Sequence, residues 1–467
     1  MNFVSFEFLF LLLALLAALL VFKHSLARKW ILLLASCVFY AWWDWRFLGL
    51  LAAVILLGYY VSRFMLAVQD PKKRSAALWL NVASHLAILG FFKYSNFFLD
   101  TLNWVVSPLG WQADALKIIL PIGVSFYIFE ALSYIFDVYK GAAQPAKSLL
   151  DYAVFITFFP RLVAGPIMRA KGFLPQLERG ILLNFDNFFE GIQLFLRGML
   201  KKTVVADNLA LAVSQIYNAP SVFSPLSVWM AVFAYSVQIL YDFWGYTDMA
   251  RGVGRALGFD LPLNFNLPYT SQSITEFWTR WHISLSSWFR DYVFFPLERR
   301  RVKRLGQTGN ILIVFLLSGL WHGANWNFIF WGGMHGVYLA VERAFDWAKP
   351  VQHPWTSAKA WFRSFLIFLL LTITWVPFRS PDWDTTLLIF EKLLFVKMQY
   401  NIEWYSAWAL FAVPLVIAGG WLFRRFEWRW PTLKIQQSYA LAFLLLEILA
   451  IFFFAPVNSS PFIYFQF

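Results

Sequence analysis

The chain reads as an all-α polytopic membrane protein, a bundle of roughly ten to thirteen membrane segments that includes short, broken or re-entrant helices. Three observations carry that reading. Hydrophobic residues make up 60% of the 467 residues and aromatics 21%, while charged residues reach only 14%, a balance outside the range of soluble domains. Apolar stretches near the ~20 residues that one crossing requires recur from end to end. The charge that exists is concentrated between them.

The first spans are Phe3 to Phe22, Trp30 to Trp45, Phe47 to Val68 and Ala77 to Phe98. Further spans are expected around 117–139, 150–168, 185–218, 225–249, 311–323, 326–345, 361–378, 405–423 and 436–455. Several middle ones are short or carry Pro and Gly, which membrane-depth backbone tolerates where it is buried in protein. The first stretch lacks a positive n-region and has Lys23, Arg28 and Lys29 behind it, so it reads as a retained helix.

Those three cations place the N-terminus outside by the positive-inside rule, and Lys72, Lys73 and Arg74 agree. Residues 251–304 fall on the cytoplasmic side. Arg424, Arg425, Arg429 and Lys434 put the start of the last helix inside, so the tail from Pro456 to Phe467 emerges outside. The net charge of +13 is then topology and contact with anionic lipid, and no nucleic-acid partner is expected. Cys37 is the single cysteine, which excludes an intrachain disulfide or thiolate cluster. No Ser-, Gly- or Pro-rich linker and no internal repeat divides the chain, so residues 1–467 are taken as one domain, with 456–467 as its tail.

Common nucleotide and hydrolase signatures are missing. Gly252-Val-Gly254-Arg-Ala-Leu257 lacks the third glycine of a dinucleotide loop, and there is no phosphate loop, zinc helix or nucleophile elbow. ATP hydrolysis, zinc proteolysis and serine esterase chemistry are therefore not expected, nor is a bound metal or cofactor.

Six histidines remain. His24 and His353 lie in polar flanks, and His85 sits in an apolar helix as a structural residue. His335 follows His322 by thirteen positions, about 220° round a continuous helix, so it is expected to face away and serve packing. His282 and His322 each follow a tryptophan and have hydrogen-bonding residues nearby: Trp278-Thr-Arg-Trp-His-Ile-Ser-Leu-Ser-Ser-Trp-Phe-Arg-Asp291 and Ser318-Gly-Leu-Trp-His-Gly-Ala-Asn325. An ionisable group inside a membrane protein is a functional-site hypothesis by default. Burial keeps imidazole neutral and able to take a proton from an attacking hydroxyl. Acyl or proton transfer, a transport pathway and a structural pair all fit at this level.

The same segments resemble the membrane-bound O-acyltransferase (MBOAT) family, in its bacterial branch that O-acetylates exported polysaccharides, alginate being the best-known acceptor. The resemblance runs through Tyr40-Ala-Trp-Trp43, Leu120-Pro-Ile-Gly-Val-Ser-Phe-Tyr127, Asp137-Val-Tyr-Lys-Gly141 and Phe158-Phe-Pro-Arg-Leu-Val-Ala-Gly-Pro166. It continues in Tyr241-Asp-Phe-Trp-Gly-Tyr-Thr-Asp-Met249, Pro268 to Trp278, Arg280 to Asp291 and Gly319 to Asn325. It implies helices around a transmembrane tunnel in the bacterial cytoplasmic membrane, His322 as catalytic histidine, His282 as the second family histidine, and acetyl-CoA as cytosolic donor. Arg280, Arg290 or the 299–304 run are placed to attract CoA phosphates, although positive-inside charge accounts for most of that run. Trp321 or Asn325 can donate to a developing oxyanion, with helix packing an equal alternative. One departure stands out: the alginate-type pattern continues Pro-Leu-Gly-Gly-Asn-Arg, whereas this chain has Pro296-Leu-Glu-Arg-Arg300. Cellulose, peptidoglycan and other glycans therefore stay open beside alginate.

The chain ends Phe462-Ile-Tyr-Phe-Gln-Phe467. An aromatic anchor at the outer headgroup level explains such a tail. The pattern also resembles the C-terminal motif of the small partner protein in teichoic-acid D-alanylation, where it is proposed as an acyl carrier. A tyrosine hydroxyl, with a reference pKa of about 10, forms a more activated ester than an alkyl alcohol. The twelve residues from Pro456 span at most roughly 40 Å, enough for Tyr464 to fold back. Tyr464 is thus expected to relay acetyl to an extracytoplasmic serine-hydrolase-like partner and on to a polysaccharide. A transporter of an acylated glycan or lipid intermediate is the main alternative, followed by a non-catalytic export scaffold. Direct transfer to a membrane-embedded glycan is the alternative within the enzyme reading.

Overall fold

A computed structural model describes residues 1–110, 112–181, 183–299, 306–348, 358–396, 402–428, 432–457 and 460–463. Its regular structure there is helical, apart from one isolated parallel bridge between Phe223 and Ile402. Among the described residues five helical stretches are long and apolar enough to cross a membrane: Phe47–Ala67, Pro71–Leu109, Pro225–Ala256, Ala358–Arg379 and Ala407–Arg425. Phe6–Val21 and Tyr439–Phe454 are shorter apolar helices. Other expected segments are helices too short, too charged or too interrupted to meet both conditions alone.

The chain forms two compact units, Met1–Phe195 with Thr247–Pro262, and Leu196–Tyr246 with Leu263–Phe467. In the first, local chemistry sets the helix ends. Ser5 accepts the Phe8 amide at one start, and Asp70 accepts the Lys72 amide ahead of Pro71 at another. Arg28, read as a topology signal, donates to the Leu19 and Phe22 carbonyls and so closes the C-terminus of Phe6–Val21. Lys29 pairs with Asp151 at 2.5 Å.

The expected 150–168 span is broken into Leu149–Thr157 and Phe159–Leu162. The broken stretch is buried, and Arg161 donates to the Glu130 carboxylate and to the Phe155 carbonyl there, with Met168 O at 3.2 Å. Interrupted backbone at this depth is thus satisfied by protein groups. His85 is buried, with Nδ1 2.9 Å from the Asn81 carbonyl one turn earlier.

The 185–218 segment is a helix, Phe185–Met199, followed by a π-helical stretch, Leu200–Ala206, and Asp207–Tyr217, of which the residues from Leu196 on belong to the second unit. The extra residue per turn aims Lys201 and Lys202 into the protein, where both are buried. Gly306–His322 and Trp326–Ala344 form a tight helical hairpin. A Cβ on Gly319 would lie 2.2 Å from the Phe328 carbonyl oxygen, and one on Gly332 2.2 Å from that of Phe315. Only glycine permits this approach, the small-residue packing that substitutes in lipid for a hydrophobic driving force.

Gly332→Val should therefore separate the two helices, at a cost of about 1–3 kcal/mol or more. The expected result is a lower melting temperature and less monodisperse protein on fluorescence-detected size exclusion. Gly333→Ala, where an added Cβ meets only Leu316 at 3.7 Å, should change neither.

Candidate active site

His282 stands between two short helices, Ile274–Arg280 and Ile283–Phe289, with φ 40° and ψ 53°. That left-handed conformation is costly for a side chain with a Cβ, about 1–3 kcal/mol, and persists where the surroundings over-determine it. They do so here. The Ile283 amide donates to the Asn264 carbonyl at 3.0 Å, the Ser284 amide to Asn264 Oδ1 at 3.2 Å, and the Asn266 amide to the Arg280 carbonyl at 3.0 Å.

The first short helix is held from both ends. Ser273 Oγ accepts the Glu276 amide at 2.9 Å while Glu276 accepts the Gln272 amide at 2.8 Å, a variant of the capping box. Glu342, from Trp326–Ala344, accepts the Ile274 and Thr275 amides, each at 2.8 Å, and the Thr275 hydroxyl at 2.5 Å. A carboxylate in the hairpin thus ties His335's helix to His282's segment. On the other side, Glu276 accepts from Arg280 at 2.9 Å and from Arg424, which also donates to Thr270.

Two of the expected histidines converge on one indole. The His282 ring lies 6.2 Å from Trp321 and edge-on to Phe243 at 4.6 Å, and His282 has 0% exposure. Trp321 lies 5.0 Å from His322, whose ring also packs edge-on to Trp331 at 5.0 Å and Phe378 at 5.3 Å. His322 is the last residue of its helix and is 4% exposed. Both imidazoles are therefore held among aromatic faces, shielded from water.

His335 does not face away as the continuous-helix reading expects. The chain reverses at 323–325, so His322 and His335 belong to antiparallel helices. His335 reaches the same indole as His322, with Trp331 at 4.8 Å, and also meets Trp278 at 5.1 Å and Phe277 at 6.2 Å. Neither His335 ring nitrogen has a hydrogen-bond partner among the described residues. A hydrophobic cage around an uncharged imidazole is what its packing provides.

The other expected residues occupy distinct places. Asn325 is the N-cap of Trp326–Ala344, its Oδ1 accepting the Asn327 amide at 2.9 Å. Arg280 is committed to Glu276 and to the Asn266 carbonyl at 3.1 Å. Arg290 is exposed, beside Asp291 at 2.9 Å. It borders a cavity of about 360 Å³ whose lining includes Trp278, Ile283, Ser286, Ser287 and Ser318. Ser318 lies one helical turn before His322. Tyr464 and residues 300–304 lie outside the described residues. Among those described, no three His, Cys, Asp or Glu side chains gather as a metal site.

Sequence reasoning missed Glu342, Phe243, Trp331 and Asn327, whose amide nitrogen donates to the Ser380 carbonyl at 3.2 Å. The signal for Glu342 was available: a carboxylate one turn from the end of an apolar helix needs a partner. The aromatic rings carried no such signal, because a sequence so rich in Phe and Trp marks none of them out.

The described residues form a helical membrane protein with two imidazoles buried beside one tryptophan. The family model described as MBOAT, membrane-bound O-acyltransferase family, matches residues 37–376. The chain is 42% identical to Probable alginate O-acetylase AlgI of Azotobacter vinelandii over 389 residues, 82% of this chain and 76% of that one. It is 35% identical to Peptidoglycan O-acetyltransferase of Helicobacter pylori over 402 residues, 80% of this chain and 75% of the relative. A match to Teichoic acid D-alanyltransferase of Bacillus subtilis is 30% identical over 269 residues, covering 55% and 67%. The chain belongs to the membrane-bound O-acyltransferase family and is a multi-pass membrane O-acyltransferase.

Burial pushes the His282 imidazole down to about 3 from its ordinary value of 6.5. Between those values the unfolded chain binds a proton that the folded one refuses. The folded state is therefore penalised progressively as pH falls below the unfolded value, and not above it. His282→Gln should lose less thermal stability than the wild type between about pH 7 and pH 5 in detergent. Equal losses would place the His282 proton uptake elsewhere.

Proposed function

We propose that this enzyme O-acetylates an exported polysaccharide from the bacterial cytoplasmic membrane. It takes acetyl from cytosolic acetyl-CoA and delivers it outside through Tyr464 and an extracytoplasmic serine-hydrolase-like partner. Relatives named for alginate and peptidoglycan O-acetylation support a glycan acceptor. Both termini lie on the outer side in this reading, by the positive-inside argument.

The observation that carries the reading is the pair His282 and His322, buried against the single ring of Trp321. The cavity beside Arg290 and Ser318 supports entry of a thioester from the side of the tryptophan cassette: its lining is mostly apolar, with a cation at its border. His282 stays neutral at physiological pH and is suited to holding the thioester rather than exchanging protons.

In the transfer step His322 takes the phenolic proton of Tyr464 as its oxygen attacks the thioester carbon. The C–S bond breaks, and the departing thiolate takes the proton back from the imidazolium, giving free CoA and an aryl acetate. A serine of the partner then attacks the ester carbon, the bond from that carbon to the Tyr464 oxygen breaks, and the phenolate takes the proton that the serine gives up, restoring the phenol. General-base assistance of this kind is worth about 10²- to 10⁴-fold.

Radiolabelled acetyl-CoA supplied to inside-out membrane vesicles containing the partner and glycan tests this. His322→Ala should lower acetyl transfer by about 10²-fold or more, and Tyr464→Phe should abolish transfer to the partner. Normal transfer by His322→Ala would remove the catalytic role; normal transfer by Tyr464→Phe would leave the enzyme but remove the relay.

A further inference from the structure

A buried cluster of one lysine and two aspartates occupies the second unit, apart from the histidines. Lys202 Nζ lies 2.7 Å from Asp207 and 2.5 Å from Asp242, and all three side chains are almost fully buried. One ammonium between two carboxylates leaves the lysine a third N–H donor and the carboxylates spare acceptor oxygens. The end of the chain meets that capacity. Lys202 Nζ donates to the Ser460 carbonyl at 2.9 Å, and the Ile463 amide donates to Asp242 Oδ2 at 2.8 Å.

Between these two main-chain contacts Phe462 is inserted as a plug, 1% exposed. Its ring stacks on Tyr246 at 4.4 Å and meets Phe243 at 5.7 Å. Phe243 in turn lies 4.6 Å from His282, so one ring separates the tail from the imidazole. The preceding chain is tethered as well: Asn208 donates to the Phe454 carbonyl at 2.8 Å, at the end of the last helix. The π-helical stretch Leu200–Ala206, with a close approach of Gly245 to the Gly198 carbonyl, brings Lys202 to Asp242. An irregular, buried, charged element thus grips the backbone at two residues, Ser460 and Ile463, on either side of Phe462.

We propose that Lys202, Asp207 and Asp242 form a dock for the C-terminal tail, gripping its backbone at Ser460 and Ile463 and seating Phe462 beside Phe243, so that these residues position the tail for acyl transfer. The proposal rests on the reading of Tyr464, the next residue in the chain, as the acyl carrier. The dock residues touch neither thioester nor glycan; they are positioning residues. Because the grip is on main chain plus the buried Phe462 and Ile463 side chains, it tolerates changes at the exposed Pro461 better than at either of them.

Hydrogen–deuterium exchange of the full-length protein in detergent, read on its C-terminal peptide, follows the Ile463 amide directly. Acetyl transfer is measured on the same preparations. Lys202→Met should speed exchange of that peptide by about tenfold or more and lower transfer by a similar factor, through kcat and not through the KM for acetyl-CoA. Because removal of the lysine leaves two buried carboxylates and can unfold the protein, Phe462→Ala serves as the second variant and should behave alike, with Phe462→Leu largely restored in both readings. Unchanged exchange in Phe462→Ala would overturn the dock whatever the fate of the relay. Faster exchange with full transfer would overturn the positioning role, while the carrier reading stands or falls with Tyr464→Phe. Loss of transfer in Tyr464→Phe with slow exchange retained would leave both standing.

Discussion

Where Gly319 passes the Phe328 carbonyl and Gly332 that of Phe315, a single methyl group would stand 2.2 Å from oxygen. The backbone contact of these two helices governs the position of most of what lies between them. It brings Trp331 of one helix against His322 of the other, and it aims Glu342 at the start of the short helix that leads to His282. Lipid offers no hydrophobic reward for bringing helices together, so contact of this kind has to come from close packing. A side chain at either glycine would disturb the histidines without touching them.

Polar satisfaction is the second requirement. The segment around His282 is built of two helices of seven residues each, too short to satisfy their own ends. Glu342, Ser273, Glu276 and Asn264 supply the missing partners. The same polar residues that make the segment look soluble in sequence are therefore structural, while the aromatic residues around it shield the imidazoles from water. Burial among those rings keeps the His282 imidazole neutral.

Much of the helical order was legible from the sequence, because apolar runs near span length are unambiguous when the solvent is lipid. Phe47–Ala67 was read within one residue, and Gly306–His322 and Trp326–Ala344 were recognised as separate spans. On one continuous helix His335 would face away from His322, whereas the reversal at Gly323 to Asn325 returns it to the Trp331 ring that His322 also meets. The break of 150–168 into two short helices lay outside periodicity, since it depends on Arg161 finding Glu130 and backbone carbonyls in the folded protein. Asn325 could be read as either an oxyanion donor or a packing residue; its Oδ1 caps a helix. The pair His282 and His322 was legible because of its chemistry, whereas their common neighbour Trp321 and the packing of Phe243 on His282 required three dimensions.

The central claim is that this O-acyltransferase modifies a polysaccharide after export. Deleting the gene and measuring ester-linked acetate on each exported glycan by mass spectrometry tests it most directly. The account predicts that one glycan loses its acetyl esters and regains them when the wild-type gene is restored. Unchanged acetyl content in every exported glycan would contradict it.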